Sequence, residues 1–221
     1  MGDIPTLDAT HRPGLLSRLA RAAVVGLFRL TGWRAAGTLP PGGKYVLAGA
    51  SHTSNWDFVV FLGTVDAMGI RPHYMGKKSL FRWPVRRFML DMGGIPVDRG
   101  KRADRVRQIA AEFARHEEFA LVIAIEGTRS ATRDWKSGFY RIALEAGVPI
   151  VCVGPDYEHK LGIIGPTIHP TGDFEKDMAP GFAFFKSLMP AHPEKTIFPD
   201  GEGVGKTRID PGQYPIASPR P

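Results

Sequence analysis

The sequence predicts a single α/β domain: a mixed, largely parallel sheet flanked by helices, with an amphipathic helix on its N-terminal side. Three observations predict it. Continuous apolar runs at residues 45–50, 119–125 and 148–153 read as strands buried on both faces. Helical patterns at about 56–68, 101–116 and 138–146 separate them, and strands alternating with helices favour parallel pairing. The chain has 221 residues, 43% of them apolar, which suits one domain with a sizeable core and short extensions.

Taken in order, the first element is a helix over 15–33. Leu15, Leu16, Leu19, Val24, Leu27, Phe28 and Leu30 recur at roughly helical spacing, and Arg18, Arg21, Arg29 and Arg34 interleave with them. Such a helix could lie in a membrane interface, or pack on the domain with its arginines solvated. Pro40, Pro41, Gly42 and Gly43 break the chain before the first long strand. A short helix is expected over 80–90, with Pro84 in its first turns, and Ile95-Pro96-Val97 reads as a short strand. Gly147 ends the helix at 138–146. Residues 191–221 are rich in Pro and Gly and read as a loose tail. The expected division is 1–38 for the helical extension, 39–190 for the domain and 191–221 for the tail.

Lys and Arg number 29 against 22 Asp and Glu, giving a net charge of +7 and a pI near 9.7. That balance favours anionic partners, and no nucleic-acid-binding module is present to make nucleic acid the choice. Lys77, Lys78, Arg82, Arg86 and Arg87 lie among Phe81, Trp83, Phe88 and Met89. With Lys78, Arg82 and Arg86 spaced by four, one basic stripe beside an aromatic face suits anionic headgroups or the phosphates of coenzyme A, or else is a solvated face covering core aromatics. Cys152 is the only cysteine, mid-strand between Val151 and Val153, which points to a buried inert thiol and excludes an intramolecular disulfide. The remaining histidines lack zinc-site spacing, so no metal is implied. No apolar stretch is long enough to span a membrane, and Asp3 with the interleaved arginines argues against a secretory signal. Gly203-Val204-Gly205-Lys206-Thr207 resembles part of a phosphate-binding loop, but Asp200 stands where its first glycine belongs, and it is read as a coincidence.

Chemistry concentrates at Ser51-His52-Thr53-Ser54-Asn55-Trp56-Asp57, where a strand hands over to a helix. Within one helix His52 and Asp57 would point about 140° apart. They meet only if His52 lies on the preceding loop and Asp57 in the first turn, with Ser54 or Asn55 as N-cap. The carboxylate then orients the imidazole, whose other nitrogen takes a proton from a hydroxyl. Read alone, so short a pattern favours a helix cap with an incidental histidine.

Three further blocks follow in order: Gly93-Gly94-Ile95-Pro96-Val97-Asp98-Arg99, Ile125-Glu126-Gly127-Thr128-Arg129-Ser130, and Gly147-Val148-Pro149-Ile150-Val151. With these four blocks, over roughly half its length, the chain resembles the lysophospholipid (1-acylglycerol-3-phosphate-type) acyltransferase family. The resemblance implies that His52 is the catalytic base and Asp57 its partner. It implies that Arg99 and Arg129 bind the acceptor's phosphate and that Glu126, Gly127 and Thr128 shape the acceptor site. Lys78 of the basic stripe is a further candidate substrate-binding cation. One departure is Ala124-Ile125, where the family has Phe-Pro.

The function so implied is transfer of a fatty acyl group from an acyl thioester, acyl-coenzyme A or acyl carrier protein, to a lysolipid hydroxyl. It needs no cofactor. It suggests a cytoplasmic enzyme attached peripherally to the anionic inner face of a membrane. Acylation of a different lipid or alcohol is one alternative, and a non-catalytic basic membrane- or phosphate-binding protein is another.

Overall fold

The three apolar runs form the centre of a seven-stranded sheet. A computed structural model describes residues 13–97, 102–127 and 130–218. Its strands are β1 (Arg34–Gly37), β2 (Lys44–Gly49), β3 (Pro72–Lys77), β4 (Gly94–Val97), β5 (Phe119–Ala124), β6 (Ile150–Asp156) and β7 (Leu161–Ile168). The order across the sheet is β1-β7-β6-β2-β5-β3-β4, and every pair is parallel except β6 with β7. The sheet is thus mixed and largely parallel, as expected.

Helices α1 (Leu15–Leu30), α2 (Trp56–Ala67), α3 (Arg86–Asp91), α4 (Arg102–Arg115), α5 (Gly138–Ala146) and α6 (Phe174–Ser187) flank it. Alternation along β2 sorts the two faces. Val46 and Ala48 join the larger core with Ile109 and Phe113 of α4, Ile142 of α5 and Phe185 of α6. Tyr45 and Leu47 face the other way, against Leu62 and Val65 of α2. Cys152 belongs to the larger core, and burial pushes its thiol up to about 12, so it stays protonated and inert.

α1 packs on α2 through Val25 and Phe28, with Phe28 seated at Gly63, where an added Cβ would come within 2.1 Å of the ring. Arg21 and Arg29 reach Asp66 at 3.2 and 3.7 Å. The opposite face of α1 is not a solvated arginine face. Leu15, Leu16, Leu19, Leu27 and Leu30 stand exposed on it, Leu30 at 88%.

Four elements escaped the sequence reading. β1 is four residues long, and β3 and β7 carry Pro and Gly that mask a strand pattern. α6 contains Pro180 and starts at Asp173, whose side chain accepts from Lys176 N–H at 3.2 Å. Two expectations are corrected. The helix expected over 80–90 begins only at Arg86, because the Trp83-Pro84-Val85 segment turns first. Lys78, Arg82 and Arg86 therefore do not share one helical stripe, although all three are exposed. The 191–218 segment has little regular structure, but it is packed rather than loose. Phe198 is fully buried against Trp135, and Ala217 N–H donates to Ala35 of β1 at 2.9 Å. The Gly203–Thr207 stretch lies in this segment with neither a strand before it nor an α-helix after it, so it lacks the setting of a phosphate-binding loop.

Candidate active site

Parallel pairing places the carboxyl ends of β2, β5 and β6 side by side: Gly49 is paired with Ala124 and with Val153. The loops leaving β2 and β5 carry His52 and Glu126. Ile125 N–H donates to Gly49 O at 3.1 Å, extending the β2–β5 ladder by one step just before Glu126. A proline at this position would have no N–H for that bond. The β2 loop also crosses close over β6, where a Cβ on Gly154 would meet Ala50 O at 2.3 Å.

His52 lies on the loop and Asp57 in the first turn of α2, the one arrangement that lets them meet. His52 Nδ1 stands 3.3 Å from Asp57 Oδ2. The same oxygen accepts from Thr53 N–H and Ser54 N–H, each at 2.7 Å, while Oδ1 accepts from the Tyr157 hydroxyl at 2.5 Å. Asp57 therefore closes the loop onto the helix and also faces the imidazole, so the capping and catalytic readings describe one residue. Burial alone would raise its carboxyl. The hydrogen bonds from His52, Tyr157, Ser54 and Thr53 outweigh that and hold it below the ordinary carboxylate value. The carboxylate is then ionised throughout the neutral range. Ser54 Oγ accepts from Trp56 N–H at 3.1 Å, and the Asn55 side chain makes no cap bond.

Glu126 is buried, and its Oε2 accepts the His52 backbone N–H at 2.6 Å. It fixes the main chain that carries the histidine. Burial raises its carboxyl, and so does the nearby Asp57 charge, against the opposing effect of His52. Gly127 follows at φ +68°, a left-handed turn suited to glycine. Lys78 opens a short 3-10 turn directly after β3, exposed at the same end of the sheet. Arg99, Thr128 and Arg129 lie outside the described residues, as does Asp98. Their flanking residues, Val97 at the end of β4 and Gly127 after β5, stand at the carboxyl ends of parallel strands.

Beside His52 an apolar cavity of about 220 Å³ runs between the sheet and α2, lined by Leu47, Val122, Val153 and Ile164 on one side and Phe58, Phe61 and Val65 on the other. Asp57 and His52 lie in its wall. Asp156, Glu158 and His159 are the only described residues grouped so that three ligand atoms fall within 4.8 Å. Asp156 is already occupied there by N–H groups of His159 and Met189, which makes the group a turn anchor. Sequence reading missed Tyr157. It follows β6, whose carboxyl end borders the site, and strand-end position was the only signal for it.

A His–Asp loop at the carboxyl ends of central parallel strands, opening on an apolar cavity, is an arrangement that suits general-base chemistry on a bound substrate. The family model described as Acyltransferase matches residues 34–155, more than half of the chain, and the chain belongs to that family. It is thus an acyltransferase. Among solved structures it is similar to the 1-acyl-sn-glycerophosphate (LPA) acyltransferase PlsC from Thermotoga maritima. The identity is 16%, the match covers 73% of this chain and 75% of that one, and the TM-score is 0.48, a distance at which nothing about the site is carried across. No curated protein matches the sequence.

Proposed function

We propose that this acyltransferase moves a fatty acyl group from an acyl thioester, carried by coenzyme A or acyl carrier protein, to the hydroxyl of a phosphate-bearing lysolipid of the lysophosphatidate type. The observation that carries the reading is the His52–Asp57 pair set in the wall of an apolar cavity. With Nδ1 turned to Asp57, base chemistry falls to Nε2. It takes the acceptor's hydroxyl proton as the oxygen attacks the thioester carbonyl. The C–S bond then breaks and the imidazolium returns the proton to the departing thiolate. The acceptor itself attacks, so no enzyme nucleophile is required, and the scheme uses no cofactor of the protein's own. The cavity offers the acyl chain an apolar lining next to the base and keeps water from competing. The test is a panel of lysolipids and simple alcohols assayed with acyl-coenzyme A and acyl carrier protein donors, with products identified by mass. Thiol release without an acylated lipid product would indicate a hydrolase instead.

The phosphate-anchor role belongs in this scheme to Arg99 and Arg129, with Thr128 and Gly127 beside them. Guanidinium forks match phosphate oxygens in pairs. Arg99→Ala is expected to raise the acceptor KM about tenfold or more, from one lost charge-assisted contact, with little change in the donor KM. Arg99→Lys should rescue only part, because it keeps charge and loses the fork. Steady-state kinetics with donor and acceptor varied separately checks this, and an unchanged acceptor KM in Arg99→Ala removes the anchor.

We place the enzyme peripherally on an anionic membrane, at the cytoplasmic face. No described helix is long and apolar enough to cross a bilayer. The support is a set of outward apolar side chains among cations. Asp91 at the end of α3 accepts from Gly14 N–H at 3.0 Å and Ser17 Oγ–H at 2.7 Å, which ties the first turn of α1 to the end of α3. Leu15, Leu16 and Leu19 of α1 are exposed, as are Trp83, at 91%, Val85 and Phe88, and so are Arg18, Arg82, Arg86 and Arg87. Leucine and tryptophan insertion flanked by cations suits anionic headgroups. Leu16→Gln, Leu19→Gln and Trp83→Ala together leave the buried Val25–Phe28 contact untouched. They are expected to weaken co-sedimentation with phosphatidylglycerol vesicles about tenfold or more, and to change turnover of a soluble short-chain acceptor by less than about twofold. Equal sedimentation would leave α1 as a packing element alone.

A further inference from the structure

We infer that Tyr157 is a positioning residue for acyl transfer: its hydroxyl holds the Asp57 carboxylate in the orientation that presents Oδ2 to His52. The inference rests on the reading of His52 as the base. Tyr157 lies outside the 34–155 stretch that the family model matches, and 100 residues of chain separate it from Asp57.

Asp57 has two oxygens with different duties. Oδ2 takes the loop N–H groups of Thr53 and Ser54 and faces His52 Nδ1. Oδ1 takes the phenol at 2.5 Å. Rotation of the carboxyl about its Cβ–Cγ bond would move Oδ2 away from the imidazole, and the phenol on the opposite oxygen opposes that rotation. A charge-assisted bond of this kind is short, directional and roughly twice as strong as a neutral one.

The phenol is itself fixed. Its ring meets Trp33 edge-on, with centroids 4.8 Å apart and planes at 84°, and Trp33 is buried. Tyr157 N–H donates to Met189 O at 2.8 Å. The preceding Asp156 is fully buried and accepts Met189 N–H at 2.9 Å and His159 N–H at 3.2 Å, and it stands 2.5 Å from His159 Nδ1. A clamped turn thus delivers one hydroxyl to one oxygen. Burial, followed by the bond to Asp57, drives the phenol's pKa well up, with the Ser54 side chain opposing, so it remains a protonated donor.

Tyr157→Phe keeps the ring on Trp33 and removes only the hydroxyl. The expected result is a fall of about tenfold in kcat, as for one lost bond to a charged group, with donor and acceptor KM each within about twofold. The acid limb of the kcat–pH profile should move to higher pH. Asp57, one donor poorer, protonates at a higher pH. A merely structural role would lower thermal stability and leave both the kcat of the folded enzyme and the limb in place, which overturns the inference. Adding Tyr157→Phe to Asp57→Asn should cost little more than Asp57→Asn alone, since the tyrosine acts through the aspartate; additive losses overturn it as well. Should Tyr157→Phe not fold, 3-fluorotyrosine at position 157 preserves the packing and makes a stronger donor. The limb should then move to lower pH, and an unmoved limb overturns the assignment. His52→Ala run in the same assay separates the two readings. Retained turnover there removes the base and the positioning role together, whereas an inactive His52→Ala beside a Tyr157→Phe of wild-type kcat and pH profile removes only the positioning role.

Discussion

Replacing His52 with alanine is expected to lower kcat for acyl transfer at least ~10²-fold while the chain remains folded. The histidine is a loop residue whose side chain is 28% accessible, so its removal opens no core cavity. Its backbone N–H, which Glu126 accepts at 2.6 Å, survives the substitution and keeps the loop in place. The loss therefore falls on the proton transfer, for which a placed general base supplies about 10²–10⁴-fold. What remains is the rate from binding and orientation, so acceptor and donor KM should change little. The measurement is initial-rate kinetics beside circular dichroism and a thermal melt. A folded His52→Ala enzyme with near-normal kcat would refute the mechanism.

Asp57→Asn should be nearly as severe, with kcat down about 10²–10⁴-fold. The amide can keep much of the geometry. Its oxygen can accept the Thr53 and Ser54 N–H groups where Oδ2 now does, and its NH₂ can donate to the Tyr157 oxygen. It cannot supply the negative charge that stabilises the imidazolium as the proton arrives. The variant should thus separate charge from shape: the structure kept and the chemistry lost. Stability should drop by about 1 kcal/mol, the difference between hydrogen bonds to a charged and to a neutral acceptor. The pH sign follows from the folded carboxyl lying below its ordinary value. The unfolded chain binds that proton at a higher pH than the folded chain does. The contribution is therefore full above the unfolded pKa and lost as pH falls through the folded one. The stability gap between wild type and Asp57→Asn should be constant near neutrality and close in acid, as denaturant melts across pH would register. A gap that widens in acid would contradict the assignment of charge to Asp57.

The centre of the fold was legible because the runs at 45–50, 119–125 and 148–153 are buried on both faces and carry no polar interruption. They became β2, β5 and β6, adjacent in the sheet. Its edges were not. β1 and β7 pair with one another, yet Arg34 and its partner Leu161 are 127 positions apart, and Gly162, Gly165 and Pro166 hide the strand pattern. The 191–218 segment read as loose because Pro and Gly dominate it. Its order comes from a few contacts, among them Phe198 under Trp135, Ala217 on β1 and His192 N–H on Thr53 Oγ1 at 3.2 Å. α1 left two readings open from its sequence. The structure shows the packing, with Phe28 against Gly63 of α2, and turns the leucines outward.

At the site, sequence by itself determined how His52 and Asp57 can meet. A histidine before a helix and an aspartate in its first turn can meet only through the loop, because helix geometry forbids the alternative. That constraint operates within six residues and needs no knowledge of the rest of the chain. The tertiary structure alone decided what surrounds the pair. Parallel pairing of β2 with β5 carried Glu126 to the His52 N–H, and packing of α2 against the sheet left an apolar cavity beside His52. The turn after β6 brought Tyr157 to Asp57 across 100 residues. Strand register and helix packing, which no short motif encodes, set those distances, because each depends on burying apolar faces contributed by the whole chain.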